Sequence, residues 1–234
     1  MKERKEIVIR AIIQCALSLR SQLENHIRNG NEDAKRAIQP HTKWLKHFEI
    51  TSFMLTEERD SIEKEAGSWD DSLIMENFWK IESFKGLMWV LNKYDSMPCY
   101  YDVGNVNDVY QLGGYPDNPN DFINSGEIKD IADIENERYL YEFLQWRCRT
   151  ELLRLQGMVP PAGDSFEATV TRAVRSIPTG STIVSNDGID ITINGTRFVD
   201  YSDKGTVMST CMERRLALEW VLGDDSWDET NTDT

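Results

Sequence analysis

At 234 residues the chain is long enough to bury a substantial core as one large domain. Its 26 Lys and Arg face 40 Asp and Glu, and a net charge of −14 opposes binding to the polyanions of nucleic acid and of inner membrane leaflets. Residues 1–50 hold 10 basic and 6 acidic side chains against 16 and 34 in the remainder, so a charge-steered partner is expected to be a basic protein that meets the later part of the chain.

The first segment, MKERKEIVIRAIIQCALSLRSQLENHIRNG, opens basic and then turns apolar, as a signal peptide does. Arg10 interrupts the apolar run, and no small-residue cleavage site follows before Arg20. Ile9, Ile12, Ile13, Ala16, Leu17, Leu19, Leu23 and Ile27 recur instead at helical spacing, with Gly30 as a stop, which predicts an amphipathic helix. Cys15, Cys99, Cys148 and Cys211 form no CxxC, and three of them fall in helical apolar stripes, as expected of reduced thiols in a cytoplasmic protein. With no signal peptide expected, the NGT sequon at 194–196 is expected to match by pattern only and not to be glycosylated.

Residues 31–48 read as a short helix interrupted at Pro40, and TEERDSIEKEAG as another, capped by Thr56 and stopped at Gly67. The most apolar helix is expected from Asp70 to Leu91. A loop rich in Gly, Pro, Asn and Asp follows over 95–124, and a long helix from Ser125 to about Gly157 places Tyr141, Leu144, Cys148, Leu152 and Leu155 on one stripe. After VPPAG, Asp164 is placed to cap a helix reaching about Ile177, with Glu167 positioned for a capping box.

The period then changes from helical to two. STIVSNDGIDITINGTRFVDYS carries two hairpin signals, Asp187-Gly188 and Asn194-Gly195. Counting outward pairs Val184 with Ile191 and Ile191 with Phe198, a three-stranded antiparallel meander with one apolar face that needs the helices to pack on. A last helix over 206–222 ends at Gly223. The fold expected is mainly α: an irregular multi-helix bundle forming a single domain over 1–234, with a β-meander inserted at 178–203.

Two segments resemble a known family. ERRLALEWVLGDDSWDETNTDT, residues 213–234, resembles the closing segment of the bacterial family known as domain of unknown function 4272, which ends in an Ala-Leu-x-Trp helix and a Trp-Asp stretch finishing in Thr-Asp-Thr. FWKIESFKGLMWVL, residues 78–91, resembles the family's helix with Trp79, Glu82 and Trp89 at its spacing, and YDV at 101–103 fits the segment after it. The resemblance implies a mainly helical fold and brings no activity. Two departures stand out: about forty residues, including the meander, lie between the Pro-Ala-Gly turn at 161–163 and the last helix, and Arg147 and Cys148 replace an expected His and Trp.

Chemistry must come from the residues. Glu82 falls on the helical strip of Met75, Phe78, Gly86 and Trp89, and Arg214 on that of Val207, Cys211, Leu218 and Val221. Two opposite charges on apolar strips predict a buried pair across a helix–helix contact, since either alone would lose several kcal/mol of solvation. The candidate site around the pair adds Trp79, Trp89, Asp102 and Trp220. Its functional reading is an acid with a tuned pKa in a pocket; its structural reading is an ion pair fixing helix register. His26, His41 and His47 have no metal spacing, and GxSxG, phosphate-loop and HExxH patterns are absent, so no metal or cofactor is expected. DNPND at 117–121 reads as a turn rather than a Ca²⁺ loop. At the end of the chain, Trp227 is expected to anchor the tail, with Asp228, Thr232 and Asp233 on backbone or Arg partners; Asp228, Glu229 and Asp233 as a cation site is the weaker alternative.

Two functional classes remain open. One is a non-catalytic cytoplasmic protein-binding module, immunity- or adaptor-like, whose acidic part meets a basic partner and whose meander edge can accept a strand. The other is a hydrolase-type enzyme using Glu82 with Asp102 or the terminal acids.

Overall fold

Helix α1 (Arg4–Arg28) is the axis of the molecule: its apolar residues are packed on every side, and the polar ones among them, Arg10, Gln14, Ser18, Arg20 and Ser21, are buried too. Every residue from Ile7 to Ser21 is buried. The structure is a computed structural model that describes residues 1–104, 119–124, 126–160, 164–177 and 184–232. Around α1 pack α2 (Glu32–His47), α3 (Thr56–Glu63), α4 (Asp71–Phe78) and α5 (Lys80–Val90). A short helix, α6 (Pro119–Asn124), also touches α1, while α7 (Ile131–Leu155) receives α8 (Phe166–Arg175). The last helix, α9 (Lys204–Leu222), packs on both α5 and α7. Among the described residues no helix is long and apolar enough to cross a membrane.

Several boundaries differ from those expected, each for a local reason. Helix α2 runs through Pro40, which sits on its exposed side where water can take up the orphaned carbonyl. The apolar helix of residues 70–91 is two helices, broken at Trp79. Ser21 Oγ donates to Ile74 O at 2.6 Å and Ser18 Oγ reaches Phe78 O at 3.5 Å, so α1 takes carbonyls at the end of α4, and the Glu82 amide bonds Trp79 O instead. Thr56 begins α3 without capping it; Glu58 accepts the Leu55 amide at 2.9 Å. Ser165, not Asp164, caps α8 through the Ala168 amide. The long helix starts at Ile131, and its apolar stripe stops at Cys148, since Leu152 and Leu155 are exposed.

The expected three-stranded meander is a two-stranded sheet, β1 (Thr192–Ile193) against β2 (Thr196–Arg197), extended by one bridge between Asn186 and Ile191. Asn194 and Gly195 take positive φ at the second turn, and the Phe198 amide bonds Ile191 O in the expected register. The first turn is longer than Asp187-Gly188. The Asp187 carboxylate accepts the amides of Ile189 and Asp190 at 3.0 and 2.9 Å, making a four-residue turn. The pairing therefore slides by two: the Thr192 amide donates to Ser185 O, and Val184 no longer faces Ile191.

The tail docks through its indole. Trp227 is buried against Trp220, ring centroids 5.3 Å apart, with the Arg10 guanidinium 5.0 Å over its face. Trp227→Ala is expected to destabilise the protein by about 3 kcal/mol, a fall in Tm of roughly 6–12 °C. A melt unchanged from wild type would show that the ring packing contributes nothing.

Candidate functional site

Glu82 on α5 and Arg214 on α9 meet in the interior, and both side chains are 0% exposed. Arg214 donates from Nε and Nη2 to Glu82 Oε2 at 2.9 and 2.6 Å. Its remaining N–H groups reach Tyr141 Oη at 2.7 Å, Cys99 O at 3.2 Å and Pro98 O. A guanidinium has five donors, and here each finds an acceptor. The other Glu82 oxygen, Oε1, accepts the Gly104 amide at 2.6 Å and lies 3.8 Å from Lys85 Nζ.

Close backbone approach makes this geometry possible. A Cβ on Gly86 would stand 3.3 Å from Ala217 Cβ, so glycine lets α5 and α9 cross one turn beyond Glu82. A Cβ on Gly104 would collide with the Lys85 and Ile81 side chains, so only glycine brings an amide to Glu82 there.

Burial alone would lower the pKa of Arg214, but Tyr141 and Glu82 hold it above its ordinary value, so the guanidinium is a fixed cation. Burial raises the Tyr141 hydroxyl, which stays protonated. Glu137, one turn before Tyr141, differs: burial pushes its carboxyl up to about 7 against the pull of Arg214 and Lys129, with Asp133 adding to the rise. Its Oε2 is buried without a hydrogen-bond partner among the described residues.

The other expected site residues lie elsewhere. Trp89 is buried beneath Lys129 Nζ, 5.4 Å from its ring centre, and Trp79 stacks edge-on against Phe78 at 5.4 Å. Trp220 belongs to the tail dock. Asp102 is exposed and makes no hydrogen bond or ion pair with Glu82. The Thr232 carbonyl takes donors from Gln145 and Arg215, both at 3.1 Å, so this residue is held through its backbone. Asp228 is exposed, acting on Arg10 only through its charge, and Glu229 accepts from Ser226. Asp233 and residues 117 and 118 of the DNPND stretch lie outside the described residues. No cluster of three or more His, Cys, Asp or Glu that could hold a metal occurs among the described residues.

A second buried charge network escaped the sequence reading. Arg147 on α7 grips Asp190 with two bonds of 2.7 Å and stacks 4.8 Å over the Phe198 ring. Glu151, one turn on, accepts from Arg154 at 2.7 Å and from Arg147 at 3.4 Å, and these arginines hold its carboxyl below the usual range despite burial, which acts the other way. The i, i+4 spacing of Arg147 and Glu151 was visible; Asp190, in a turn 43 residues away, was not.

Glu82→Gln and Arg214→Met are each expected to destabilise by about 3–5 kcal/mol, since each strands a buried charge, while the double variant costs less than the sum. Simple additivity in urea melts would mean that the two residues do not interact. Glu137 gives a pH dependence of definite sign. Its folded pKa lies above its ordinary 4.5, so the stability it contributes is complete below that value and is lost as pH rises through about 7. Relative to wild type, Glu137→Gln should therefore gain roughly 1–2 kcal/mol on moving from pH 5 to pH 8. Parallel curves for the two proteins would contradict the raised pKa.

No curated protein and no solved structure matches the chain. Residues 1–173 match the family described as Domain of unknown function (DUF4272). The match takes in the Trp79–Glu82–Trp89 segment and ends before the sheet, α9 and the tail, so Arg214 lies beyond it. On the length of that match, nearly three quarters of the sequence, the chain belongs to the DUF4272 family.

Proposed function

We propose that this protein is a non-catalytic, cytoplasmic protein-binding module, adaptor- or immunity-like, whose acidic face receives a basic partner. The observation that carries this reading is the distribution of charge between interior and surface. Inside, Glu82 has every close donor supplied by the protein, which leaves no accessible carboxylate oxygen for a substrate or an attacking water. Asp102, the partner acid in the hydrolase alternative, is exposed and makes no hydrogen bond with Glu82.

Outside, residues 57–76 present seven exposed carboxylates, Glu57, Asp60, Glu63, Glu65, Asp70, Asp71 and Glu76, against one exposed cation, Lys64. Among the described residues, only Glu63 and Asp71 of these are in ion pairs, with Lys46 and Arg28. At the end of this stretch, Met75, 58% exposed, and Phe78 face Gln22, Asn25 and His26 of α1 across a cleft of about 480 Å³. A cleft with an apolar α4 side and a polar α1 side, next to an acidic stretch, suits a basic protein segment that carries an apolar anchor between Lys or Arg residues: the anchor supplies burial and the neighbouring carboxylates supply steering.

The test is affinity capture from the native host with wild type and with the surface variant Met75→Glu, Glu76→Lys. A basic protein retained by wild type and lost by the variant supports the reading. Its purified association rate should fall steeply between low and physiological salt, where exposed charges are screened over about 8 Å. Binding indifferent to both salt and the variant would place the interface elsewhere and remove the steering argument.

A further inference from the structure

A cavity of about 280 Å³ opens where α7 and α8 meet the segment that carries the small sheet. Two of its walls are apolar, Phe166 and Val170 from α8, and Ile189 and Val199 from the sheet segment. Its floor is the buried trio Arg147, Glu151 and Asp190, whose charges are spent on one another and on Arg154. Thr171 Oγ1, bonded to Ile189 O at 3.3 Å, ties the two walls together, so the hollow is built before any ligand arrives.

The rim is different. Arg197 uses only its Nε, in an ion pair with Asp187, and among the described residues its two terminal nitrogens have no partner. Glu167 is exposed and, among the described residues, its carboxylate has no partner either. Both line the cavity. Over the lining itself, Arg147, Arg154 and Arg197 match Glu151, Glu167 and Asp190, and Asp187 behind the rim is held by Arg197, so the hollow carries no excess of positive charge that would draw a plain anion. It offers, with apolar walls between them, the two terminal nitrogens of Arg197, whose Nε alone is engaged by Asp187, and the unpaired carboxylate of Glu167.

We propose that this cavity binds a free α-amino acid with an apolar side chain, its carboxylate on Arg197, its ammonium on Glu167 and its side chain between Phe166, Val170, Ile189 and Val199. The volume lies at the small end of ligand cavities, which suits a ligand of that size and excludes a nucleotide. A terminal residue of a peptide carries only one of the two charges, so the free amino acid is the matched species. Four lining residues, Ile189, Asp190, Arg197 and Val199, lie beyond the part of the chain that matches the family, so the site belongs to this chain rather than to the family as a whole. This inference stands independently of the protein-binding reading, since it uses a different face.

Calorimetric titration of the full chain tests it with leucine, methionine and phenylalanine, and with three probes that each remove one feature: 4-methylpentanoate lacks the ammonium, isoamylamine lacks the carboxylate, and glycine lacks the apolar side chain. The expected result is saturable one-to-one binding of at least one of the three amino acids, weakened about tenfold or more in each probe, the loss of one ionic hydrogen bond or of the apolar contact. Glu167→Gln should weaken the amino acid but leave 4-methylpentanoate unchanged, and Arg197→Gln should weaken it but leave isoamylamine unchanged. A merely unfolded variant would not show that crossed pattern. Absence of saturable binding at millimolar ligand, or 4-methylpentanoate or isoamylamine binding as tightly as leucine, overturns the proposal.

Discussion

The contact on which the rest of the molecule depends is the one between Glu82 and Arg214. A lone guanidinium in a dry interior is expensive, and the cost is offset only when charge and every donor are matched at once. Here the matching groups come from four places in the chain: the carboxylate from α5, the phenol of Tyr141 from α7, the carbonyls of Pro98 and Cys99, and the cation itself from α9. Satisfying one side chain thus fixes the relative position of three helices and the strand of chain that follows α5. Glu82 closes the same loop from the other side by accepting the Gly104 amide. Hydrophobic burial would tolerate small slips of these helices; five directed bonds do not.

The same logic explains where the remaining charges went. Arg20 and Glu24 are fully buried on α1, and Arg20 also donates to the carbonyls of Ile62, Lys64 and Glu65, so a second cation is spent on organising the turn between α3 and α4. That turn lies in the middle of the acidic stretch of the surface and carries two of its carboxylates, Glu65 and Asp70. Buried charge therefore shapes the backbone that displays exposed charge. Cations are consumed inside, and the surface of residues 57–76 keeps its carboxylates with little to neutralise them.

What the sequence made legible follows from periodicity. Glu82 and Arg214 could be paired because each is a charge on an apolar helical strip, and Trp227 stood out because an indole in a polar tail has no solvated role. The break at Trp79 was not legible, because its cause is two serines on α1 that take carbonyls of α4 from 60 and 53 residues away. Nor was the continuity of α2 through Pro40, which depends on the proline facing water. The first hairpin was misjudged because Asp187-Gly188 is a sound two-residue turn by local chemistry. The longer turn is held by the Asp187 carboxylate, and Asp190 is carried inward to Arg147. Family membership and the mainly helical fold were readable; the second charge network was not, because half of it sits in that turn.

The two buried networks differ in one respect that bears on where ligand chemistry can occur. At Glu82 and Arg214 every donor is spent and neither side chain is exposed, so the network is complete and nothing enters it. At Arg147 the core of the network is equally spent, but it forms the floor of an open hollow rather than the centre of a packed crossing. Fixed charges at the bottom of a cavity hold its walls in place, and the residues free to bind are those at its rim. A fold that uses up its first network to set helix register and leaves its second at the base of a cavity places its accessible groups at the rim between α8 and the sheet-bearing segment, not at the helical centre that the sequence points to first.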